Sequence, residues 1–199
     1  QPPVLVATVR DTTVRTEAER LGDVLRAFAV APQPADPGGD PAAGVAAIVE
    51  TAARALDVPT ASAWLLRGDF LVSVFRYGDG AHGADLRLAT SDAAEFVAAL
   101  QAARTVAAHD AAHDLRTEAL SRVCGGEPGA SSILAAAVRV GGTLAGMLCF
   151  ASAGAPRRWS TEEEAFCASM ADFASLALED AERLRAEASL RESEERYRT

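Results

Sequence analysis

Residues 133–150 read ILAAAVRVGGTLAGMLCF and contain the clearest hairpin pattern in the sequence. Two apolar runs, Ile133–Val140 and Thr143–Phe150, flank the pair Gly141-Gly142. A Gly-Gly pair between two such runs is typical of a two-residue hairpin turn, because both turn positions take a positive φ that glycine adopts readily. The sequence therefore predicts an antiparallel β-hairpin over these residues.

A helix and a second hairpin precede this one. The runs Ala61–Leu66 and Phe70–Tyr77 flank an Arg-Gly-Asp turn, which predicts another antiparallel pair of strands. Before them, apolar residues share one helical face: Val45, Ile48, Val49, Ala52 and Leu56. Helices that alternate with hairpins favour the α/β class in its α+β form, with a central antiparallel sheet and helices packed on it.

The N-terminal 40 residues divide into three segments. Val4–Val9 alternates in polarity and predicts a strand. Residues 14–30 predict a connector helix, because apolar residues recur every three or four positions, at Val14, Ala18, Leu21, Leu25 and Phe28. Residues 31–40, APQPADPGGD, contain too much Pro and Gly for either structure and predict a linker.

The C-terminal segment predicts one long helix. Ser160 and Glu163 have the spacing of a capping box, and neither Gly nor Pro follows them. One stripe holds the apolar residues Phe166, Met170, Phe173, Ala177, Ala181 and Leu184. We expect residues 181–199 to extend beyond the domain as a signalling helix. Apolar stripes at both ends of the chain predict a homodimer that forms through the terminal helices.

Charge and cysteine content argue against several functions. The formal net charge is −9 and the sequence contains no Lys, so we expect no binding to nucleic acid or to anionic lipid. No apolar run reaches the roughly 18 residues of a membrane span, so we expect no membrane contact. Cys124, Cys149 and Cys167 are too far apart for a metal knuckle, which predicts no metal site and a reduced, cytoplasmic setting.

Several stretches between residues 41 and 180 resemble the GAF domain. They match the first helix and strand of that family, its central loop, its closing hairpin and the start of its last helix. The stretches are AARALDV at 52–58, ASAWLL at 61–66, DAAHDLR at 110–116, GG at 141–142, GML at 146–148 and WSTEE at 159–163.

The flanking segments resemble parts of PAS domains. Residues 1–13 resemble the last strand and exit motif of one such domain, and SEERYR at 193–198 resembles the opening of another. The order PAS–GAF–PAS implies a longer protein, as in bacterial sensor histidine kinases and diguanylate cyclases. The resemblance implies a sensory module without catalytic residues of its own. It would bind a small molecule, dimerise, or do both, and relay a signal through its terminal helices to adjacent PAS and output domains.

The resemblance also implies a ligand site between the sheet and the central loop, defined here as residues 109–116. An apolar floor with a few convergent polar groups is the usual makeup of a small-molecule pocket. The same Asp and His residues also suit ordinary loop turns. The sequence names no ligand or cofactor. The predicted ligand-binding residues are His109, Asp110, His113, Asp114, Arg116, Trp64, Phe75, Tyr77 and Phe96.

Two rival interpretations stay open. The first is a scaffold with an occluded pocket, which dimerises and binds no ligand. The second is a haem- or thiol-based redox sensor or enzyme, for which His109 and His113 offer imidazole ligands and Cys124 lies in a predicted loop. No cysteine has a neighbouring His or partner thiol in the sequence, and a chain without Lys lacks the Asn-Lys-x-Phe-Asp signature of cyclic-nucleotide-binding GAF domains.

Overall fold

A computed structural model of the chain describes residues 4–30, 41–78, 86–124 and 129–198. The predicted linker at 31–40 lies outside the described residues. The helices and strands, in chain order, are α1 (Val4–Val30), α2 (Pro41–Leu56), β1 (Thr60–Arg67), β2 (Phe70–Tyr77), β3 (Arg87–Ala89), α3 (Ala94–Ala102), β4 (Thr105–Ala108), α4 (Glu118–Cys124), β5 (Ser132–Val140), β6 (Thr143–Ser152) and α5 (Thr161–Arg198).

All six of these strands form one antiparallel sheet in the order β3-β2-β1-β6-β5-β4. The hairpin predicted over residues 133–150 is confirmed: Val140 pairs with Thr143, and the turn glycines have φ values of 56° at Gly141 and 80° at Gly142. The α+β class with helices on an antiparallel sheet is confirmed as well. Strands β1 and β6 pair at the centre, so both hairpins share one sheet.

The sheet separates two apolar clusters because successive side chains of a strand point to opposite faces. On β5, Leu134, Ala136 and Val138 pack under α1, α2 and α5, whereas Ile133 and Ala135 pack under α3 and α4. We call these two sides the α5 face and the α3 face. Among the described residues, no helix combines the length and apolarity that a membrane span requires.

The strand predicted at Val4–Val9 is wrong, because these residues belong to α1. The helix expected over 14–30 is therefore longer and begins at Val4. The prediction relied on alternating polarity, but a strand also needs a neighbouring strand to pair its backbone groups. None of the described sheet pairings involves these residues, and a helix satisfies its backbone groups within the segment.

Most of the predicted dimerisation stripes are covered within one chain. Leu21 and Phe28 of α1 are buried, and the ring of Phe28 lies 5.2 Å from that of Phe173 on α5. Phe166 and Met170 are buried on the α5 face. These side chains therefore belong to the domain core. The part of α5 beyond Ala181 keeps exposed apolar side chains, namely Leu184 and Leu190.

Candidate functional site

The floor of the predicted site is a dense apolar layer on the α3 face. Trp64 of β1, Phe96 of α3 and Met147 of β6 are each at most 1% exposed. The indole Nε1 of Trp64 donates a 2.8 Å hydrogen bond to Ser62 Oγ, so its one polar group is satisfied within the sheet. Trp64 and Phe96 thus belong to the same apolar cluster, as packed core side chains.

A β-bulge places Phe75, another predicted site residue, on the opposite face of the sheet from Trp64. Ala63 pairs with Phe75 while Trp64 pairs with Ser73, which leaves Val74 as an extra residue on β2. The extra residue reverses the in–out alternation along β2. Phe75 therefore packs on the α5 face, opposite Trp64. The sequence left open which face of β2 points toward the central loop, and the structure turns Phe75 away from it.

Tyr77 follows the same reversed alternation and also lies on the α5 face. The guanidinium of Arg54, on α2, sits 5.9 Å from the centre of its ring. Phe75 and Tyr77 are thus placed to contact α2 rather than a ligand beneath the central loop. The sequence alone gives no signal for the bulge, because the bulge depends on how β2 pairs with β1 and not on the residue types of β2.

Asp114 and Arg116 form the tightest polar unit of the central loop. Arg116 donates from Nε to Asp114 Oδ1 at 3.0 Å and from Nη2 to Oδ2 at 2.6 Å, and Asp114 Oδ1 also accepts the backbone N–H of Arg116. These bonds from Arg116 hold the pKa of the Asp114 carboxyl below its usual value. The pair neutralises itself and shapes the turn before α4.

His113 and Asp110 form a second local pair nearer the solvent. Nδ1 of His113 lies 3.1 Å from both carboxylate oxygens of Asp110, and the His113 side chain is 83% exposed. A side chain this exposed does not reach the interior, where a haem would need an apolar pocket. Among the described residues, no group of three or more His, Cys, Asp or Glu side chains could hold a metal ion.

Of the two histidines in the central loop, His109 is the one whose ring contacts a distant part of the fold. Its Nδ1 accepts a 3.2 Å hydrogen bond from the backbone N–H of Trp159, just before α5. Ser132, fully buried at the start of β5, donates to the His109 carbonyl at 2.8 Å and accepts from the backbone N–H of Arg157 at 2.7 Å. The central loop is thereby tied to the segment that leads into α5.

This contact belongs to a larger cluster that the sequence did not reveal. We call Ser132, His109, Arg157, Trp159 and Glu163 the α5 junction. Arg157 forms an ion pair with the buried Glu163, stacks 4.2 Å from the Trp159 ring, and donates to the Leu56 carbonyl at the end of α2. Burial raises the pKa of the Glu163 carboxyl. Of the contacts made by these residues, only that of Glu163 with Ser160, the capping box, was predictable from the sequence.

The capping box of α5 is present as expected. Ser160 Oγ accepts the N–H of Glu163 at 3.2 Å, and Glu163 Oε2 accepts the N–H of Ser160 at 2.8 Å. One carboxylate oxygen of Glu163 therefore caps the start of the helix, and the other pairs with Arg157. Within the described residues, Trp159 Nε1 is a buried donor that has no hydrogen-bond partner.

The three cysteines are free and buried. Cys124 was predicted to lie in a loop, but it is the last residue of α4 and packs into the α3 face. A contact with the Cys124 thiol, together with burial, raises the pKa of Cys149 well above its usual value, and burial does the same for Cys167. The thiolate is the nucleophilic form, so these environments disfavour thiol chemistry.

Comparison with solved structures shows the same fold in functionally different proteins. The GAF domain of an Acinetobacter phosphoenolpyruvate-protein phosphotransferase matches with a TM-score of 0.63 at 18% identity, covering 83% of this chain and 93% of the other. The free methionine-R-sulfoxide reductase of Neisseria meningitidis matches with a TM-score of 0.62 at 15% identity, covering 84% and 90%. The blue-light absorbing PixJ GAF domain of Thermosynechococcus elongatus matches with a TM-score of 0.64 at 21% identity, covering 79% and 98%.

Sequence comparison identifies the family directly. No curated protein matches the sequence. The sequence profile described as GAF domain matches residues 40–178, a span that holds every strand of the sheet and α5 as far as Leu178. The match covers well over half of the chain, and the protein therefore belongs to the GAF domain family.

Proposed function

We propose that this chain is a non-catalytic regulatory module of a cytoplasmic bacterial signalling protein, and that it relays a conformational signal through α1 and α5. The proposed parent carries a PAS domain before it and another after it, as in sensor histidine kinases and diguanylate cyclases. The observation that carries the proposal is the length of α5. The helix runs 38 residues, and Ala181 is the last buried residue among those of its side chains that the structure describes.

The helix beyond Ala181 would gain stability from a partner. About 17 residues at ~1.5 Å each extend roughly 25 Å past the domain, and isolated helices near this length are marginal in water. Leu190 in this extension is 62% exposed. A second copy of α5 alongside it would cover this leucine, and the mixed Arg and Glu side chains around it suit pairing between like helices.

Light scattering on the full chain tests the dimer. Leu184→Glu together with Leu190→Glu is expected to weaken association, because both changes place charge at the proposed helix–helix contact. Leu115→Glu is the matched control, since Leu115 is an exposed leucine on the central loop. A full chain that stays monomeric at all concentrations, or equal weakening by the control, would contradict the proposal.

The proposed regulatory module has two versions, which differ in whether it also binds a small molecule. The occluded-scaffold version is supported by the packing of Trp64, Phe96 and Met147 and by the self-paired charges of the central loop. The ligand version draws on the photosensory PixJ domain, which shares the fold. Native mass spectrometry of the purified chain separates them: a co-purified small molecule favours the sensor, and the bare mass favours the scaffold.

The enzymatic and haem alternatives have less support. A methionine sulfoxide reductase shares the fold, but the burial of Cys124, Cys149 and Cys167 does not provide an accessible nucleophile. His109 already accepts a backbone hydrogen bond through Nδ1, and the ring of His113 faces solvent. An ultraviolet-visible spectrum without a haem band and an assay without sulfoxide turnover are the expected results.

A further inference from the structure

Ser132 connects the central loop to the start of α5 with a single hydroxyl group. Its Oγ donates to the His109 carbonyl at 2.8 Å and accepts from the Arg157 N–H at 2.7 Å. Ser132 is fully buried, so water does not compete for either bond. If either segment moves away, the Ser132 hydroxyl loses a hydrogen bond that solvent cannot replace.

The ring of His109 provides a second, independent link. Its Nδ1 accepts the backbone N–H of Trp159, an arrangement that requires the neutral ring with its proton on Nε2. The residues on the α5 side of both links, Arg157 and Trp159, are two positions apart. The central loop therefore holds the segment that precedes α5 at two successive points.

The path continues from this segment into the helix. Arg157 is ion-paired with Glu163, and the other carboxylate oxygen of Glu163 accepts the N–H of Ser160 at the helix start. The side chain of Glu163 is 4% exposed, so loss of the pair with Arg157 leaves a buried charge without compensation. Polar contacts thus run without a break from His109 to the first turn of α5, around the end of the sheet.

We propose that the central loop and the first turn of α5 open as one cooperative unit, with the α5 junction holding them together. The coupling is a property of the unliganded chain. The role of this coupling in signalling rests on the proposed function: a change at the central loop would reach α5 at its N-terminal end. By reciprocity, a change made at the helix start must alter the opening of the loop.

Amide hydrogen exchange of the full chain, followed by NMR, tests the coupling in the decisive direction. Glu163→Gln alters the helix side, and the readout is on the loop side, at the amides of Ala111 and Thr117, which donate to Ser131 and Asp114 carbonyls. We expect both amides to exchange about tenfold faster, because the weakened junction makes the shared opening easier.

The matched control is Glu164→Gln, the same substitution in the same turn. Glu164 bonds to Thr105 at the beginning of β4 and takes no part in the α5 junction. It should leave the loop amides within about twofold of their original rates. Acceleration confined to the amides of residues 160–164 in Glu163→Gln would overturn the proposal, and so would equal acceleration by the control.

Ser132→Ala tests the same unit from the loop side. It removes both hydroxyl bonds, and the amides of Glu163 and Glu164 should then exchange about tenfold faster while those at the centre of β6 stay unchanged. Ser121→Ala, which removes one local bond to the Glu118 carbonyl, should leave α5 unaffected. Uniform acceleration across the sheet would overturn the proposal, because the junction would then belong to the global core.

Discussion

Gly146 occupies a place in the sheet where no other residue fits. A Cβ atom added there would lie 2.1 Å from the carbonyl oxygen of Trp64 and 3.2 Å from the Cα of Leu65. Both are backbone atoms of β1, which pairs with β6 through Leu65 and Gly146. The φ of Gly146 is not in the left-handed region, so the requirement for glycine here is one of space alone.

The structure sets the expected cost of Gly146→Ala. Relief of the contact requires the two central strands to move apart by about 1 Å, and overpacking of this kind costs about 1–3 kcal/mol. Separation at this end of the ladder also weakens about one hydrogen bond, for roughly 1 kcal/mol more. We expect the free energy of unfolding to fall by about 3 kcal/mol. For a chain of this size the Tm should then fall by about 10 °C.

Urea unfolding measures this change through the midpoint and the slope of the transition. Gly141→Ala is the control, because nothing lies within 4 Å of its added Cβ and only the φ of 56° is unfavourable. That strain costs about 1–2 kcal/mol. Equal losses in the two variants, or a loss below about 1 kcal/mol for Gly146→Ala, would refute the steric reasoning.

Two further predictions concern the loop and the thiols. Arg116→Ala should destabilise the chain by up to about 1 kcal/mol at neutral pH. Arg116 lowers the pKa of Asp114, so this contribution is present above the unfolded pKa and disappears as the pH falls through the lowered folded value; urea unfolding at several pH values checks it. Cys149 and Cys167 should react with Ellman's reagent only as the chain unfolds, and rapid labelling of the folded protein would contradict their burial.

The elements that local sequence determines could be predicted. The turn at Gly141-Gly142 needs positive φ at two successive residues, and the capping box of Ser160 and Glu163 needs two polar side chains three positions apart. Both requirements can be read within a few residues. The hairpin and the beginning of α5 were therefore predicted at the residues where the structure has them.

Features that depend on distant parts of the chain could not be predicted. Ser132 and Arg157 lie 25 positions apart, and His109 and Trp159 lie 50 apart. Nothing in the composition of either segment shows that they meet. The bulge at Val74 has the same origin, since it is defined by the pairing with β1 and not by β2 alone.

The helical N-terminus shows the opposite case, in which a local pattern was overridden. Val4–Val9 has the β-branched residues and alternation typical of a strand, yet it forms the beginning of α1. Secondary-structure preference is a weak guide where no pairing partner is available. The PAS resemblance of residues 1–13 rested in part on that strand. It stays a prediction, and the strand no longer supports it.

The position of the α5 junction explains why a signal would pass around the sheet. Most side chains of β5 and β6 are buried on both faces, so movement through the sheet would disturb paired strands and two packed clusters at once. At the start of β5 the central loop and the α5 segment instead meet through a few separate polar bonds. Each such bond contributes only about 1 kcal/mol, so a small change at the loop can shift the balance there while the core stays intact.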